Sequence, residues 1–216
     1  MFVEKWMTSN PTTVLPDAAI SYVAMEMSRC KFRHFPVAES TRTGPRLVGI
    51  VSKYDIARAF PANLNPFSME VAEKSVPRPV STVMTRKVIT TTLDCPLEVA
   101  ARTIHSNRIG ALPVLLDNRL VGIITESDIF EGFMSITAAK SGGVRVLVES
   151  DSRESPVPAV VLLSQQEGVD ILSMLSFHEN PLKGRDLSIF RFGGRLPPGF
   201  LQEIIKLGFR IVSVGE

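Results

Sequence analysis

The sequence is poor in the residues that mark several common classes of protein. It contains two cysteines, Cys30 and Cys95, so a disulfide framework is excluded and a reduced thiol pair is expected. The three histidines, His34, His105 and His178, show no metal-ligand spacing with one another or with a cysteine. The sequence also lacks a Walker loop, a dinucleotide glycine fingerprint and a nucleophile elbow. We therefore predict a chain without a catalytic site and without a metal.

Long apolar runs and a strong charge of either sign are also missing. No stretch approaches the roughly 18 to 20 apolar residues that a membrane span requires, and "MFVEKWMTSN" lacks the pattern of a signal peptide. Lys and Arg number 24 against 22 Asp and Glu, a net charge of +2 that is too mild to indicate a nucleic acid or an anionic membrane. We expect a cytoplasmic protein that binds neither.

What the sequence does contain is a repeat. Residues 47–56 read "LVGIVSKYDI" and residues 120–129 read "LVGIITESDI", with six of ten positions identical at an offset of 73. Upstream, Met7-Thr8 recurs as Met84-Thr85 and Pro36-Val37 as Pro113-Val114, at an offset of 77. The offset changes because "ESTRTGP" in the first copy is shortened to "DN" in the second. Self-similarity of this kind identifies a duplicated module.

Each copy carries the same order of predicted elements. An apolar helical period begins at Ile20 and again at Leu97, and Asp17 and Asp94 precede these helices as predicted N-caps. Two short apolar runs then indicate strands around a turn, and a second helix begins at a Ser/Thr-x-x-Asp sequence. Each copy is predicted as strand, helix, strand, strand, helix.

This order of elements, with the Pro-Val pair, the Leu-Val-Gly-Ile run and the Ser/Thr-x-x-Asp ending, resembles a CBS domain. Two in tandem resemble a Bateman module. The resemblance implies a first CBS domain over 1–62, a linker over 63–80 in which "SMEVAEK" is predicted as a short helix, and a second CBS domain over 81–138. It also implies a pseudo-twofold disc with two clefts that commonly hold adenine nucleotides, and frequent dimers.

The repeated Ser/Thr-x-x-Asp sequence has two interpretations, which the sequence leaves open. Ser52 with Asp55, and Thr125 with Asp128, form a capping pattern at a helix start. Alternatively, each carboxylate accepts hydrogen bonds from the 2′ and 3′ hydroxyls of a ribose, while the hydroxyl and nearby N–H groups suit a phosphate. The resemblance favours ribose binding, and the two roles can coexist.

The resemblance also implies contacts before each Pro-Val pair. Arg33 and His34 are the expected phosphate contacts, and Ile109 and Gly110 the expected apolar wall for a base. A solvated helix end, where cations complement the helix dipole, explains the basic residues equally well. Because the second copy retains only Arg108 in this stretch, the two clefts are expected to differ.

The resemblance also implies contacts to the edge of the base from the first strand of each unit, although Thr is simply a good strand residue as well. The expected residues are Thr13 and Val14 for the cleft that contains Asp128, and Thr90 and Thr91 for the cleft that contains Asp55.

The C-terminal third follows a different pattern. After a linker over 139–143, residues 144–216 alternate in the order βαββαβ, which predicts a ferredoxin-like domain. The phrase "EGVDILSM" resembles the helix-to-strand passage of an ACT domain. The Asp-x-x-Gly turn typical of amino-acid-binding ACT domains is replaced by "ESDSRESPVP", which has no glycine to allow close approach of a ligand. A dimerisation or structural role is therefore expected.

Together these features predict an α/β (α+β) protein of two CBS domains and an ACT-like domain, similar to the acetoin-utilisation family of CBS–ACT proteins. The resemblance implies a non-catalytic sensor that requires no cofactor. It would bind AMP, ADP, ATP or S-adenosylmethionine between the CBS domains and act through a homodimer on a regulated enzyme. A ligand-free dimerisation scaffold that docks on an enzyme is the alternative. An enzyme with a composite site across a dimer interface is disfavoured.

Overall fold

The computed structural model describes residues 1–42, 44–61, 64–68, 78–151, 154–180 and 185–215. The chain divides into two compact units, Met1–Phe130 and Glu131–Glu216. Most of the linker, including the helix predicted for "SMEVAEK", lies outside the described residues. Within the described parts, no helix has the length and apolar character needed to cross a membrane.

The first unit contains both copies of the repeat. Its elements are β1 (Thr8–Ser9), α1 (Ile20–Cys30), β2 (His34–Thr41), β3 (Gly44–Ser52), α2 (Lys53–Ala59), α3 (Leu97–Asn107), β4 (Ala111–Leu116), β5 (Arg119–Thr125) and the start of α4 (Glu126–Ile136). β2 and β3 form one antiparallel sheet, and β1, β5 and β4 form a second in that order. The first strand predicted for each copy is reduced to isolated bridges, Val14 with Val37 and Thr91 with Val114.

The two copies exchange their N-terminal segments. Val3 is fully buried in the core of the second copy, together with Leu97 and Leu112. In return, Val80 and Met84 pack in the core of the first copy. Residues 1–9 and 78–85 therefore complete the hydrophobic core of the copy to which they do not belong in sequence. Neither copy encloses its apolar side chains by itself.

The starts of α1 and α3 differ from the prediction, because the exchanged segments provide their hydrogen-bond partners. The N-cap residues of α1 and α3 are Ala19 and Pro96, and neither provides a side-chain hydrogen bond, so Asp17 and Asp94 do not cap these helices. Instead, the N–H of Ile20 donates to the carbonyl of Arg78 at 2.9 Å, and the N–H of Leu97 donates to the carbonyl of Met1 at 2.9 Å. The exchanged backbone thus satisfies the free N–H groups that a helix start exposes.

The glycines of the repeated Leu-Val-Gly-Ile run make room for the exchanged segments. A Cβ on Gly122 would lie 2.3 Å from Sδ of Met7. A Cβ on Gly49 would lie 2.4 Å from Sδ of Met84 and 3.1 Å from the carbonyl oxygen of Thr85. Any side chain at these positions would displace the methionine that seals the core.

The second unit is a four-stranded antiparallel sheet with two helices. Its complete elements are β6 (Val144–Asp151), α5 (Pro156–Gln166), β7 (Ile171–Asn180), β8 (Arg185–Phe192), α6 (Phe200–Lys206) and β9 (Arg210–Gly215). The sheet order is β7-β8-β6-β9, so the predicted βαββαβ order is confirmed. Both helices pack on one face of the sheet, where the core includes Val148, Val160, Phe190, Phe192 and Phe200.

We expect Gly49→Ala to lower the free energy of unfolding of the first unit by about 1–3 kcal/mol, because the added methyl group overpacks the core against Met84. Urea unfolding followed by the fluorescence of Trp6, the single tryptophan, measures this change. Gly215→Ala is the control, since nothing lies within 4 Å of its Cβ position. In a Met84→Ala background the cost is expected to shrink, and an unchanged cost would contradict the steric explanation.

Candidate functional site

Two cavities lie at equivalent positions in the first unit. The first, of about 310 Å³, contains Asp128 and is called the Asp128 cleft. Its lining combines residues 31–34 of the first copy with Ile123, Thr125 and Ser127 of the second. The third wall is formed by Thr8 of the exchanged N-terminal segment and by the residues just after that segment, Asn10, Pro11 and Thr12. The cleft therefore depends on contributions from both copies.

The second cavity, of about 340 Å³, contains Asp55 and is called the Asp55 cleft. Its lining repeats the pattern with the copies reversed, since residues 108–111 face Ser52, Tyr54 and Asp55. The third wall is formed by Thr85 of the exchanged segment and by the residues just after that segment, Lys87, Val88 and Ile89. The two clefts are thus related by the sequence offsets of 77 and 73 that define the repeat.

The hydrogen bonds of the repeated Ser/Thr-x-x-Asp sequence confirm the capping interpretation in both copies. Oδ2 of Asp55 accepts from the N–H of Ser52 at 2.8 Å and from its hydroxyl at 2.6 Å, and the N–H of Asp55 donates to Ser52 Oγ at 3.2 Å. The corresponding distances for Thr125 and Asp128 are 2.8, 2.7 and 3.4 Å.

The cap uses one oxygen of each carboxylate. Within the described residues, Oδ1 of Asp55 and Oδ1 of Asp128 accept no hydrogen bond. Since an ionised carboxylate can accept about four hydrogen bonds, each aspartate keeps capacity for a ligand while it holds its helix start in place.

A left-handed residue positions the basic loop of each cleft. Lys31 ends α1 with φ of 57°, and Arg108 ends α3 with φ of 52°. A left-handed residue of this kind is a common way to end a helix, and here it occurs at the same position in both copies. Each turn carries a cation at the edge of its cleft and directs the following residues, Phe32 and Ile109, into the lining.

Arg33 reaches across the Asp128 cleft. Its Nη2 donates to Oγ of Ser127 at 3.0 Å. Among the residues that the structure describes, Arg33 has no carboxylate partner, so its guanidinium charge is not neutralised by an ion pair. An uncompensated guanidinium beside Lys31 in a cleft is suited to an anion.

His34 forms part of both clefts. Its ring packs on Gly110, where a Cβ would lie only 2.7 Å from Cε1 of His34. Burial lowers the pKa of His34 below its ordinary value, the charge of Arg33 lowers it further, and Glu126 and Asp55 act in the opposite direction. The imidazole is therefore favoured in its neutral form, which offers one donor and one acceptor.

Gly110 and Ile109 line the Asp55 cleft, where the sequence analysis expected an apolar wall. Gly110 has a further role, because its missing side chain leaves space for His34. Ala111 occupies the position equivalent to His34, so only one of the two copies provides this shared ring.

The backbone N–H groups of Val14 and Thr91 are used in hydrogen bonds to a neighbouring strand. The N–H of Val14 donates to the carbonyl of Pro36 at 3.1 Å, and the N–H of Thr91 donates to the carbonyl of Pro113 at 3.0 Å. Val14 is also buried in the core of the first copy. These backbone groups are not available to read the edge of a base.

The cleft linings include the residues one position earlier than Thr13 and Thr90. Thr12 lines the Asp128 cleft and Ile89 lines the Asp55 cleft. Thr13 and Thr90 are half-buried beside them. The predicted strand forms only as an isolated bridge in each copy, and its sequence pattern did not define which residue faces the cavity.

Lys87, Tyr54 and Phe32 are among the lining residues that the sequence analysis missed. Lys87 adds a second cation to the Asp55 cleft beside Arg108, so the charge difference between the clefts is smaller than expected. Lys87 is the counterpart of Asn10 at the offset of 77, but Asn10 was not predicted either, so the repeat gave no signal for it. Within the described parts of the chain, no group of three or more His, Cys, Asp or Glu side chains is placed to hold a metal ion.

Residues 3–62 and 80–135, together more than half of the chain, match the family model for the CBS domain. The chain therefore belongs to the CBS domain family and carries a tandem pair of these domains.

Curated relatives contain a similar region within longer proteins. A homoserine O-acetyltransferase of Methanohalobium evestigatum is 30% identical over 129 residues, which cover 59% of this chain and 23% of that protein. An inosine-5′-monophosphate dehydrogenase of Staphylococcus aureus is 26% identical over 179 residues, which cover 81% of this chain and 33% of that protein. The chain thus spans only a quarter to a third of the length of these relatives.

Solved structures of CBS domain pairs share the fold. The CBS domain pair of protein MJ0100, in complex with 5′-methylthioadenosine and S-adenosyl-L-methionine, is 28% identical with a TM-score of 0.50, covering 62% of this chain and 95% of that one. A Vibrio cholerae protein assigned to acetoin utilization (AcuB) is 27% identical with a TM-score of 0.54, covering 66% and 98%. CBSX2 in complex with AMP is 26% identical with a TM-score of 0.51, covering 62% and 97%.

We expect the stability of the first unit to fall as the pH is lowered through about 6.5, the ordinary pKa of histidine. The pKa of His34 is lowered in the folded chain, so the unfolded chain takes up this proton first. The His34 contribution is therefore complete above this pH and lost below it. Urea unfolding between about pH 7.5 and 5.5 measures the slope, which should be smaller in His34→Gln. His105→Gln, at an exposed position on α3, is the control. An equal slope in wild type and His34→Gln would contradict the expectation.

Proposed function

We propose that this chain is a non-catalytic regulatory protein that binds adenine nucleotides in the two clefts of its CBS pair. The observation that carries the proposal is the repeated aspartate, which caps a helix through Oδ2 and keeps Oδ1 open to a ligand in each cleft. Asp55 and Asp128 would accept hydrogen bonds from the ribose hydroxyls through these oxygens.

The charges around the Asp128 cleft support a phosphorylated ligand. Lys31 and Arg33 line the cavity, and Ser127 presents its hydroxyl to Arg33 at 3.0 Å. A phosphate would receive charge-assisted hydrogen bonds from the guanidinium and also face the N-terminus of α4. His34, neutral in the free protein, would donate one further hydrogen bond. We therefore favour AMP, ADP or ATP over S-adenosylmethionine, which has no phosphate.

Apolar side chains next to these charges suit an adenine ring. In the Asp128 cleft, Phe32 is 43% exposed and lies beside Pro36 and Ile123. In the Asp55 cleft, Ile109 takes the position of Phe32, with Gly110 next to it. Each cleft also offers an aromatic face for stacking, Phe32 in the Asp128 cleft and Tyr54 in the Asp55 cleft. Thr12 and Ile89 replace Thr13, Val14, Thr90 and Thr91 as the proposed base contacts.

The ligands of the structural relatives agree with this chemistry. MJ0100 was crystallised with 5′-methylthioadenosine and S-adenosyl-L-methionine, and CBSX2 with AMP. All three contain adenosine. A ligand that contacts both copies of the repeat would favour one arrangement of the clefts over another, by no more than its difference in affinity for the two states.

The homodimer and the regulated enzyme belong to the proposal as well. Large apolar side chains are exposed on the helices of the first unit, including Tyr22 at 50%, Tyr54 at 68% and Phe130 at 65%. Side chains of this type mark surfaces that a partner covers. The same observation favours the second candidate function, a ligand-free scaffold, in which dimerisation and docking are the only tasks. Residues 144–216 would then serve as an ACT-like dimerisation domain in either case.

Calorimetric titration with AMP, ADP, ATP and S-adenosylmethionine tests nucleotide binding. We expect micromolar affinity for at least one nucleotide, about 8 kcal/mol of binding free energy. Asp128→Asn should weaken binding at least about tenfold, because the amide still caps the helix but lacks the second carboxylate acceptor. Asp55→Asn tests the other cleft in the same way.

The control is Asp117→Asn, at an exposed turn residue that lines neither cleft. Binding that survives both cleft variants would contradict the role of the two aspartates. No binding by folded protein would contradict the sensor and favour the scaffold. Chromatography of the incubated nucleotide should recover it unchanged, and a hydrolysed or transferred product would contradict the non-catalytic assignment.

Light scattering tests the homodimer in both candidate functions. We expect the mass of two chains with and without nucleotide. Tyr54→Ser and Phe130→Ser should shift the mass toward one chain if these exposed side chains form the interface. A single-chain mass for the wild type at micromolar concentration would contradict the dimer.

A further inference from the structure

The second unit contains a cavity of its own, on the sheet face opposite α5 and α6. It has a volume of about 250 Å³ and lies between the C-terminal end of α4 and the strands β6, β7 and β8. The hydroxyl of Ser173 on β7 donates to the carbonyl of Thr137 at 2.9 Å, which holds the end of α4 over the sheet. The residues that matter for its chemistry are Arg145, Arg191, Leu175, Ile189 and Ile136.

Two arginines lie side by side in this cavity. Arg145 on β6 is the register partner of Arg191 on β8, and both line the cavity. Like charges at directly opposite positions of an antiparallel pair destabilise a sheet. The arrangement therefore has a cost unless an anion lies between or beside the two guanidinium groups.

Neither arginine has an acidic partner among the residues that the structure describes. Arg191 is only 8% exposed, and its nearest acceptor is the carbonyl of Gly142, at 3.4 Å from Nη1. Nη1 of Arg145 lies 3.5 Å from Oγ of Ser213. Both contacts are long for hydrogen bonds.

Two other arginines of the same sheet form ion pairs with a carboxylate. Arg185 and Arg210 both donate to Oε1 of Glu149, at 2.8 and 3.3 Å. The sheet thus neutralises its exposed arginines with a carboxylate, while the buried Arg191 has none. A buried cation without a counter-charge is strongly unfavourable, and an incoming carboxylate or phosphate would remove the penalty.

The remaining lining restricts the ligand. Leu175, Ile189 and Ile136 give the cavity an apolar body, and its volume of about 250 Å³ is smaller than that of either cleft. No aspartate or glutamate lines it, so an ammonium group would lack a partner.

We propose that this cavity binds a small organic carboxylate with a short aliphatic body, a simple or 2-oxo acid and not an amino acid. Arg145 and Arg191 bind the carboxylate as adjacent forks, which suit its two oxygens. The aliphatic part packs on Leu175 and Ile189. The site is separate from the Asp55 and Asp128 clefts, because all of its residues belong to the second unit.

Calorimetric titration of the full chain with 4-methyl-2-oxopentanoate and 3-methylbutanoate tests the proposal, with leucine and inorganic phosphate as comparison probes. We expect at least one of the two carboxylates to bind at millimolar concentration or below, and more tightly than leucine or phosphate. Binding of leucine or phosphate at equal strength would overturn the ligand class. If neither carboxylate binds to protein that is shown to be folded, the proposed site is wrong.

Variants locate the binding. Arg145→Gln and Arg191→Gln should each weaken binding roughly tenfold or more, through the loss of charge-assisted hydrogen bonds. Arg210→Gln is the matched control, since Arg210 lies on the same sheet but pairs with Glu149. Asp55→Asn and Asp128→Asn should leave carboxylate binding intact even if they abolish nucleotide binding.

If Arg191→Gln does not fold, the melting temperature of Arg145→Gln still tests the proposal. Without ligand, Arg145→Gln should melt at or above the wild-type temperature, because one of two adjacent like charges is removed. The ligand-induced rise in melting temperature should disappear in this variant. A rise equal to that of the wild type would overturn the assignment of the site.

Discussion

The structure of the first unit depends on the exchange of backbone between its two repeats. The carbonyl groups of Met1 and Arg78 satisfy the N–H groups at the starts of α3 and α1, and the side chains that follow fill the opposite core. A buried helix start without partners would cost several unmade hydrogen bonds, so these contacts fix the two copies to each other. Gly49 and Gly122 are glycines for the same reason, since the methionines of the exchanged segments lie where their side chains would be.

Both clefts follow from that exchange. Each one takes its aspartate from one copy and its basic loop from the other, with the exchanged segment as a third wall. The aspartates are held by their own capping bonds, and the basic loops are held by left-handed residues at the ends of α1 and α3. A ligand therefore meets side chains that are already positioned. Among the residues that the structure describes, His34 is the one side chain common to the two clefts, and Gly110 leaves the space that its ring occupies.

The sequence was sufficient to predict features that depend on residues close together in the chain or on the internal repeat. The capping pattern of Ser52 and Asp55 and the βαββαβ order of the second unit both follow from short-range preferences and apolar period. The predicted caps Asp17 and Asp94 failed because residues far away in sequence satisfy those helices. Lys87 was missed for the same reason, since only the exchange brings it to the Asp55 cleft. The pairing of Arg145 with Arg191 required the register of the sheet, which no local pattern encodes.

The exchange also affects how the chain reaches its folded state. β1, formed by Thr8 and Ser9, pairs with Ile123 and Gly122 on β5, so this pairing requires a strand that lies more than 110 residues later in the sequence. Such non-local pairing raises the contact order and slows folding. During synthesis, the first repeat leaves the ribosome with part of its apolar core open until residues 78–85 follow. The core of the second repeat in turn requires Val3, which precedes it by more than 90 residues. We therefore expect the CBS pair to fold as one cooperative body, although its sequence reads as two.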